Sequence, residues 1–227
     1  MTDFILALPI LLFSVVAHEY AHAWAAYWQG DDTAYALGRL TLNPLPHIDP
    51  MMSVIFPIGL YWLTSLSGHP FTFGAAKPVP VNPRNYRHYR RGDVIVSAAG
   101  IVTNLFLGVL CTVLFGGLGL LADVLPGQLA GLGSLQRMMV FGVALNFTLA
   151  IFNLIPIPPL DGSHIFYHLL PASWGARYRQ VGRFGFIVLF ATFLVPGLWN
   201  LLLWPVDTLT SGALSLVGSY ALPTVAR

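Results

Sequence analysis

Residues 4–28 of this chain read FILALPILLFSVVAHEYAHAWAAYW, a mostly apolar run close to the N-terminus. As a helix this run would be about 37 Å long, which is enough to cross the hydrocarbon core of a bilayer, about 30 Å thick. A cleaved signal peptide is a poor alternative, because the run is too long and no basic residue precedes it. The segment therefore predicts a transmembrane helix.

The composition of the whole chain agrees with a membrane setting. Of its 227 residues, 56% are hydrophobic and only 9% are charged, whereas soluble domains carry about 25% charged residues. The 11 basic and 9 acidic residues give no basic field for nucleic acid, and the single cysteine excludes a disulfide framework and a cysteine-based zinc site. These values exclude a soluble enzyme, a disordered chain and a nucleic-acid-binding protein.

Further apolar segments follow the first one. Val94–Leu121 and Leu135–Ile155 are clear spans. Phe184–Val217 is interrupted by prolines and is either two short spans or one span plus an interfacial helix. We expect an all-α polytopic membrane protein with about four to six membrane segments and a small β-strand or re-entrant region after the first helix.

The region after the first helix is irregular in sequence. Residues 37–42, LGRLTL, have strand character, and Asn43-Pro44 ends that segment. Met51–Leu66 is apolar but short and contains Pro57. We therefore predict that it is re-entrant and not a full crossing.

Charged residues are concentrated at the ends of the apolar segments. The loop 67–93 holds nearly half of the positive charge, and a second basic cluster lies at 177–183. The positive-inside rule places both on the cytoplasmic side. Most acids flank the spans, and we expect these to be solvated interfacial charges: Asp3, Asp31, Asp32, Asp93 and Asp123.

The first helix contains an HExxH pattern, His18-Glu19-Tyr20-Ala21-His22. Residues four apart share a helix face, so both imidazoles can bind one metal ion while Glu19 takes a proton from a metal-bound water. Glu19 is also the only glutamate in the chain, and an ionisable residue inside a membrane helix indicates function because burying it is costly. A glutamate that pairs with a histidine only to hold helices together is the structural alternative.

A catalytic zinc ion usually has three protein ligands, so one more must come from another segment. Asp161 is the best candidate, because the prolines in the preceding stretch NLIPIPPL break the helix and can turn the carboxylate inward. Asp49 and Asp207 are weaker rivals. His164, three residues after Asp161, is a weaker candidate for a neighbouring partner or spare ligand, and His168 is expected to be interfacial.

The depth of these residues predicts a topology. His22 lies near the C-terminal end of the first helix, and Asp161 lies just past the end of the Leu135–Ile155 span. These two helices should therefore run parallel, with the Val94–Leu121 span opposite to them. The basic loop then places the site near the cytoplasmic face and the N-terminus outside. Asn146, inside a span, is expected to bond a neighbouring helix.

Three motifs together resemble the site-2 proteases, which are intramembrane zinc metalloproteases. They are HExxH in the first helix, Gly100-xxx-Asn104 in the Val94–Leu121 span, and Asn153-xx-Pro-xxxx-Asp161-Gly162. The segments 37–44, 47–50 and 76–84 look like the compact prokaryotic branch of that family, which lacks PDZ and CBS domains. The resemblance covers residues 8–170.

The resemblance implies one zinc ion per chain, held by His18, His22 and Asp161. Glu19 would be the general base. Asn153 would help to hold the substrate or the developing oxyanion.

Substrate contacts are expected from two further places. Asn104 resembles the family's asparagine in this span and is a substrate-binding candidate. Leu37 and Leu40 belong to the strand-like segment, which we predict to hold an unwound substrate extended by strand addition. Many family members have proline where this chain has Ile101, a departure that removes no ligand.

The expected organisation is a single integral-membrane protease domain over residues 1–227, with a core at 4–170 and C-terminal membrane segments within 176–220. Its partners would be a transmembrane protein substrate and the lipid bilayer of a prokaryotic plasma membrane, with the active site toward the cytoplasm and no nucleic acid. The oligomeric state stays open. A catalytically inactive protease-like scaffold and a metal-binding or transport membrane protein are the alternatives.

Overall fold

The computed structural model of the chain describes residues 2–55, 58–59, 62, 77–192, 195, 197–223 and 225. Helices dominate these residues, and short 3₁₀ or π-helical turns connect several of them. In chain order the α-helices are α1 (Thr2–Gln29), α2 (Thr33–Ala36), α3 (Tyr89–Val124), α4 (Leu129–Leu154), α5 (Asp161–Tyr167), α6 (Ala172–Val181), α7 (Gly185–Thr192) and α8 (Leu198–Val217).

Among the residues that the structure describes, four helical segments are long and apolar enough to cross a membrane, namely Leu6–Gln29, Tyr89–Val124, Pro126–Leu154 and Leu198–Tyr220. The first three correspond to the clear spans of the sequence. In the described part of the proline-interrupted C-terminal region, α8 is long enough, whereas α7 has 8 residues. The prediction of an all-α polytopic membrane protein is therefore confirmed.

The predicted strand at residues 37–42 was wrong. No strand occurs in the part of the chain that the structure describes. The backbone amides of this segment bond locally, with Gly38 N donating to Tyr35 O at 3.0 Å and Arg39 N donating to Ala34 O at 2.8 Å. Gly38 has φ of 66°, a left-handed conformation that glycine adopts readily and that closes a turn after α2.

The re-entrant segment predicted at Met51–Leu66 is described only in part. Pro50–Ile55 forms a π-helical turn. Residues 56–57, 60–61 and 63–76 lie outside the described residues, so this prediction stays a prediction.

The apolar core lies between α3, α4 and α8. Phe115 of α3 packs with Val143 and Phe147 of α4, and Val206 of α8 joins the same cluster. Gly108 of α3 permits this close packing, because a Cβ atom there would lie 2.6 Å from the Phe147 ring. The contact between α3 and α4 therefore depends on a small residue facing a large one.

Gln136 attaches the C-terminal segment to this core. It is completely buried on α4, and its Nε2 donates to Phe115 O at 3.0 Å and to Tyr220 O at 2.9 Å. Its Oε1 accepts from Leu222 N at 2.9 Å. One side chain therefore ties the chain after α8 to both central helices.

Polar contacts fix the relative directions of the central helices. Ser14 of α1 contacts Asn146 of α4, and farther along both segments His22 of α1 approaches Asp161, which follows α4. The contacts of His22 with Val96 and of His18 with Asn104 show that α3 runs opposite to α1. Helices α1 and α4 are therefore parallel, as their depth in the sequence predicted.

Candidate metal centre

The two histidines of the HExxH pattern face the same point from α1. His18 Nδ1 donates to Asn104 Oδ1 at 2.5 Å, and His22 Nδ1 donates to the carbonyl oxygen of Val96 at 2.7 Å. Both partners belong to α3. Because each Nδ1 is held in this way, the two Nε2 atoms converge and lie 3.0 Å apart.

Asp161 completes the cluster from the first residue of α5. Its Oδ2 lies 3.2 Å from His18 Nε2 and 3.3 Å from His22 Nε2. Within the described ranges, this is the one group of three histidine, cysteine or carboxylate side chains whose ligand atoms all lie within 4.8 Å of one another. The structure thus brings together the three residues that the sequence proposed as metal ligands.

The chemistry of these three atoms fits a bound cation. Each histidine uses its Nδ1 hydrogen elsewhere, so a neutral ring presents a lone pair at Nε2. Asp161 Oδ2 is buried and receives no hydrogen bond among the described residues. Three electron-pair donors that face one another repel unless a positive ion lies between them.

The spacing of the donors also fits zinc. Tetrahedral coordination with bonds of 2.0–2.1 Å places ligand atoms about 3.3 Å apart. The three observed separations run from 3.0 to 3.3 Å. Two imidazoles and one carboxylate leave a fourth position for a water molecule or substrate, as in catalytic zinc sites.

Gly100 allows α3 to pass directly behind the imidazoles. A Cβ atom at this position would lie 2.5 Å from His18 Cε1 and 2.6 Å from His22 Nε2. No side chain fits at such distances without moving a ring. The glycine of the Gly100-xxx-Asn104 motif is therefore a close-approach residue.

Asn104 is the start of a buried polar chain across three helices. Its Nδ2 donates to Asn146 Oδ1 at 2.9 Å, so its Oδ1 is the atom that faces His18. Asn146 Nδ2 in turn donates to Ser14 Oγ and to Gly142 O, both at 2.9 Å. Asn146 bonds neighbouring helices as predicted, and Asn104 is buried at a position that suits orientation of His18 better than contact with a substrate.

The end of α4 positions Asp161. After Leu154 the chain turns through a proline-containing loop and starts α5, where Gly162 packs against the Leu154 carbonyl so closely that a Cβ atom would overlap it. Asn153, in the last turn of α4, donates from Nδ2 to Leu149 O of its own helix at 2.9 Å. The Asn153-xx-Pro-xxxx-Asp161-Gly162 motif therefore forms the end of α4, a tight loop and the start of α5.

Glu19 lies next to His18 and contacts a segment that the sequence analysis did not connect with it. Its Oε2 accepts a hydrogen bond from Val79 N at 2.7 Å. Residues 77–82 are irregular, and buried Arg39 donates to the Lys77 carbonyl at 2.9 Å. Lys77 N donates to His47 O at 2.9 Å. The proposed base is thus held by a peptide N–H from outside the helix bundle.

The remaining candidates lie apart from the cluster. Leu37 is 62% exposed, while Leu40 packs against Ala23, Ala34 and Val79. The strand that would have presented both leucines to a substrate is not formed. Of the rival ligands, Asp49 accepts from Met51 N at 2.8 Å and Asp207 lies exposed on α8, so neither joins the described group.

Two acids predicted to be solvated are in fact buried, namely Asp31 and Asp93. Asp93 Oδ2 lies 2.7 Å from His168 Nε2, and its Oδ1 lies 3.3 Å from His164 Nδ1. His168, expected at the interface, is likewise buried in this contact. The burial of Asp93 could have been predicted from its spacing to Gly100, because residues seven apart lie on the same face of a helix.

The chain resembles named bacterial proteins over most of its length. It is 38% identical to "Putative zinc metalloprotease YwhC" of Bacillus subtilis across 86% of this chain and 82% of that protein. It is 33% identical to "Putative zinc metalloprotease Rip2" of Mycolicibacterium smegmatis and of Mycobacterium tuberculosis, each across 86% of this chain and 69% of the relative. No solved structure matches the chain at a significant level.

One family model covers the larger part of the sequence. The model described as peptidase family M50 matches residues 50–196, which include Asn153 and Asp161, while the HExxH helix precedes the matched range. The structure joins the two parts, because His18 and His22 meet Asp161 across the bundle. With a family match over more than half of its length and relatives above 30% identity, this chain belongs to peptidase family M50.

Proposed function

We propose that this chain is an intramembrane zinc endopeptidase that hydrolyses peptide bonds within or near the transmembrane helices of membrane proteins. The observation that carries the proposal is the convergence of His18 Nε2, His22 Nε2 and Asp161 Oδ2 beside Glu19, inside a bundle of apolar helices. Membership of family M50 and the names of the relatives support the zinc metalloprotease class.

His18, His22 and Asp161 would hold the zinc ion. A zinc ion bound there would supply Lewis-acid chemistry, lowering the pKa of a water molecule and polarising the scissile carbonyl. Glu19 accepts the proton of the attacking water and passes it to the leaving amine nitrogen. Asn104 and the Val96 carbonyl keep the imidazoles turned so that both Nε2 atoms face inward.

The membrane setting supports a transmembrane helix as the class of substrate. His18 and His22 lie in a candidate span, so a bond that reaches them must itself enter the apolar layer. A transmembrane helix satisfies its backbone hydrogen bonds internally, and it must unwind locally before its carbonyl can be attacked. For Asn153 we propose contact with the unwound substrate, for which its amide must release Leu149 O.

The distribution of charge supports an active site toward the cytoplasm. The metal centre lies near the N-terminal end of α3, the end at which Arg84, Arg87, Arg90 and Arg91 are grouped. Such clusters face the cytoplasm in most membrane proteins. We therefore assign the site to the inner face of a prokaryotic plasma membrane.

Zinc content and cleavage measured together test this function. We expect the detergent-purified chain to carry one zinc ion and to cut a single-span test protein whose helix contains a glycine-rich, easily unwound turn. Glu19→Gln should retain zinc and lose cleavage by about 100-fold or more, because general base catalysis contributes that much. Asp161→Ala should lose both zinc and cleavage.

Other results would identify an alternative. Zinc binding without cleavage of any single-span protein would favour an inactive scaffold. Folded wild-type protein that binds no zinc would disprove the proposal.

A further inference from the structure

A second ionic cluster lies beside the metal centre and is not used by the proposed reaction. It consists of Asp93 on α3, His164 on α5 and His168, the residue that follows α5, and we call it the anchor cluster. The Asp93 side chain is only 6% exposed, and each of its oxygens contacts a different imidazole, at 3.3 Å for His164 and 2.7 Å for His168. A buried carboxylate that contacts both imidazoles links α3 to the segment that carries them, because its removal would leave buried polar groups without a partner.

The anchor cluster continues a stripe of contacts along one face of α3. Positions 93, 96, 100 and 104 follow the spacing of a single helix face. Asn104 orients His18, Gly100 admits both rings, and the Val96 carbonyl orients His22. Three positions of the stripe therefore serve the two histidine ligands, and the fourth, Asp93, contacts the helix that carries Asp161.

Asp161 needs such support more than the histidines do. His18 and His22 belong to a helix of 28 residues, whereas Asp161 begins a helix of 7 residues after an irregular loop. A helix that short is not stable alone and takes its position from tertiary contacts. His164 and His168 lie one and two turns after Asp161, so fixing them fixes the direction from which its carboxylate enters the site.

We infer that Asp93 is the positioning residue for the third zinc ligand, because by binding His164 and His168 it holds α5 where Asp161 meets the two histidines. This inference rests on the zinc site of the proposed function. The anchor cluster would then raise the affinity for zinc and take no direct part in peptide hydrolysis. It also ranks the two imidazoles: His168 is buried and closer, while the His164 side chain is 52% exposed, so His168 carries the larger share.

Zinc affinity, measured by competition with a chromogenic chelator on the full-length protein in detergent, tests the inference without a cleavage assay. Asp93→Leu should weaken zinc binding by about 10- to 100-fold, the usual effect of losing a residue that supports a metal ligand. Asp93→Asn keeps one acceptor oxygen and should give a smaller loss. His168→Leu should weaken zinc binding more than His164→Leu does.

Gln136→Leu is the matched control. It removes another buried polar anchor of the bundle. Among the described residues the Gln136 side chain bonds the C-terminal segment and α3, away from the metal centre, so the variant should have a lower melting temperature and unchanged zinc affinity. If cleavage is measurable, saturating zinc should restore it in Asp93→Asn and should not restore it in Glu19→Gln.

Two outcomes would overturn the inference. One is wild-type zinc affinity in folded Asp93→Asn and His168→Leu. The other is an equal loss of zinc affinity in Gln136→Leu, since the effect would then be general destabilisation. A protein that binds zinc with the expected ranking and cuts no substrate would support the inference while the proposed function fails.

Discussion

Gly100 is the residue at which the backbone of α3 packs directly against the imidazoles of the metal centre. Its backbone passes so close to the two imidazoles that a methyl group would lie 2.5–2.7 Å from three ring atoms of His18 and His22. The rings cannot turn away freely, because each Nδ1 is bound to α3 itself. A change of one carbon atom therefore acts directly on the positions of both Nε2 atoms.

We predict that Gly100→Ala weakens zinc binding by about tenfold or more, since displaced ligands lose their geometry. The added methyl group must also be accommodated, at a cost of about 1–3 kcal/mol for overpacking. Zinc per chain after dialysis against a weak chelator measures the effect.

Gly117→Ala is the control for this prediction. Gly117 lies on the same helix, and a Cβ atom there meets nothing within 4 Å. Alanine should be neutral or slightly stabilising at that position, because it is the better helix former by about 1 kcal/mol. Equal zinc content in the two alanine variants would contradict the role assigned to Gly100.

The Asp31 carboxylate links the turn between α1 and α2 to the segment before α3. Asp31 is 1% exposed, and its oxygens accept from Asn82 N at 2.6 Å, from Asn85 Nδ2 at 2.8 Å and from Thr33 Oγ1 at 2.5 Å. Burial acts to raise the pKa of Asp31, but these hydrogen bonds outweigh it and lower the pKa below its usual value. The ionised form of Asp31 therefore stabilises the contact between this turn and the segment before α3.

The lowered pKa of Asp31 predicts a loss of stability in acid. A group with a depressed pKa in the folded protein stabilises it above the pKa of the unfolded chain, about 3.9, and this contribution is lost as the pH falls through the folded value. Asp31→Asn should therefore melt below the wild type at pH 7, with the difference shrinking as the pH falls below about 4. Thermal unfolding at both pH values measures this.

Asp32→Asn provides the comparison for Asp31. Asp32 is adjacent and exposed, and its side chain caps no helix amide. The same change of charge there should leave the melting temperature near that of the wild type at both pH values. An acid response in Asp31→Asn equal to that of the wild type would show that the connection does not depend on the carboxylate.

Apolar side chains are exposed on the outside of the helix bundle, as a membrane requires, and the interior contains buried polar groups beside its apolar core. Apolar side chains are exposed along the central helices, for example Phe13 at 53%, Phe106 at 63% and Val113 at 63%. The interior instead holds a polar chain of Ser14 and Asn146 that continues through Asn104 to the metal centre. Buried polar groups of this kind must satisfy one another, so the chain links the site to the packing of the bundle.

Removal of the metal should therefore lower the stability of the whole helix bundle. We predict that a strong chelator lowers the melting temperature of the wild type and that added zinc restores it. A bound ligand stabilises by about 2.7 kcal/mol when its free concentration is 100 times its dissociation constant. Magnesium should not substitute, because it prefers oxygen donors and this site has two imidazoles.

Asp161→Ala is the control for chelation. It lacks one of the three converging donors, so its melting temperature should change little with chelator or zinc. A wild-type melting temperature that is unaffected by the chelator, with zinc shown to be removed, would mean that the metal contributes nothing to the fold.

Local features of the sequence were sufficient to predict the membrane helices and to pair two of the three candidate metal ligands. Long apolar runs report spans directly, because each residue adds a fixed rise and the bilayer has a fixed thickness. His18 and His22 are neighbours through helix periodicity alone, so their pairing needs no tertiary information. The strand predicted at 37–42 did not form, because a turn at Gly38 outweighed the local strand character of the segment.

Apolar run lengths and helix periodicity are enough to predict a helical membrane protein with a histidine pair and one internal glutamate. Helix packing, which no local pattern contains, brings Asp161 Oδ2 to the two histidines, sets Gly100 against their rings and places Asp93 in contact with His164 of α5. These contacts join residues tens of positions apart, so the local pattern could favour Asp161, which follows a proline-rich helix end, but could not show which side chains it meets. The choice depends on helix packing, which closes the bundle at the few positions where small and polar residues face each other.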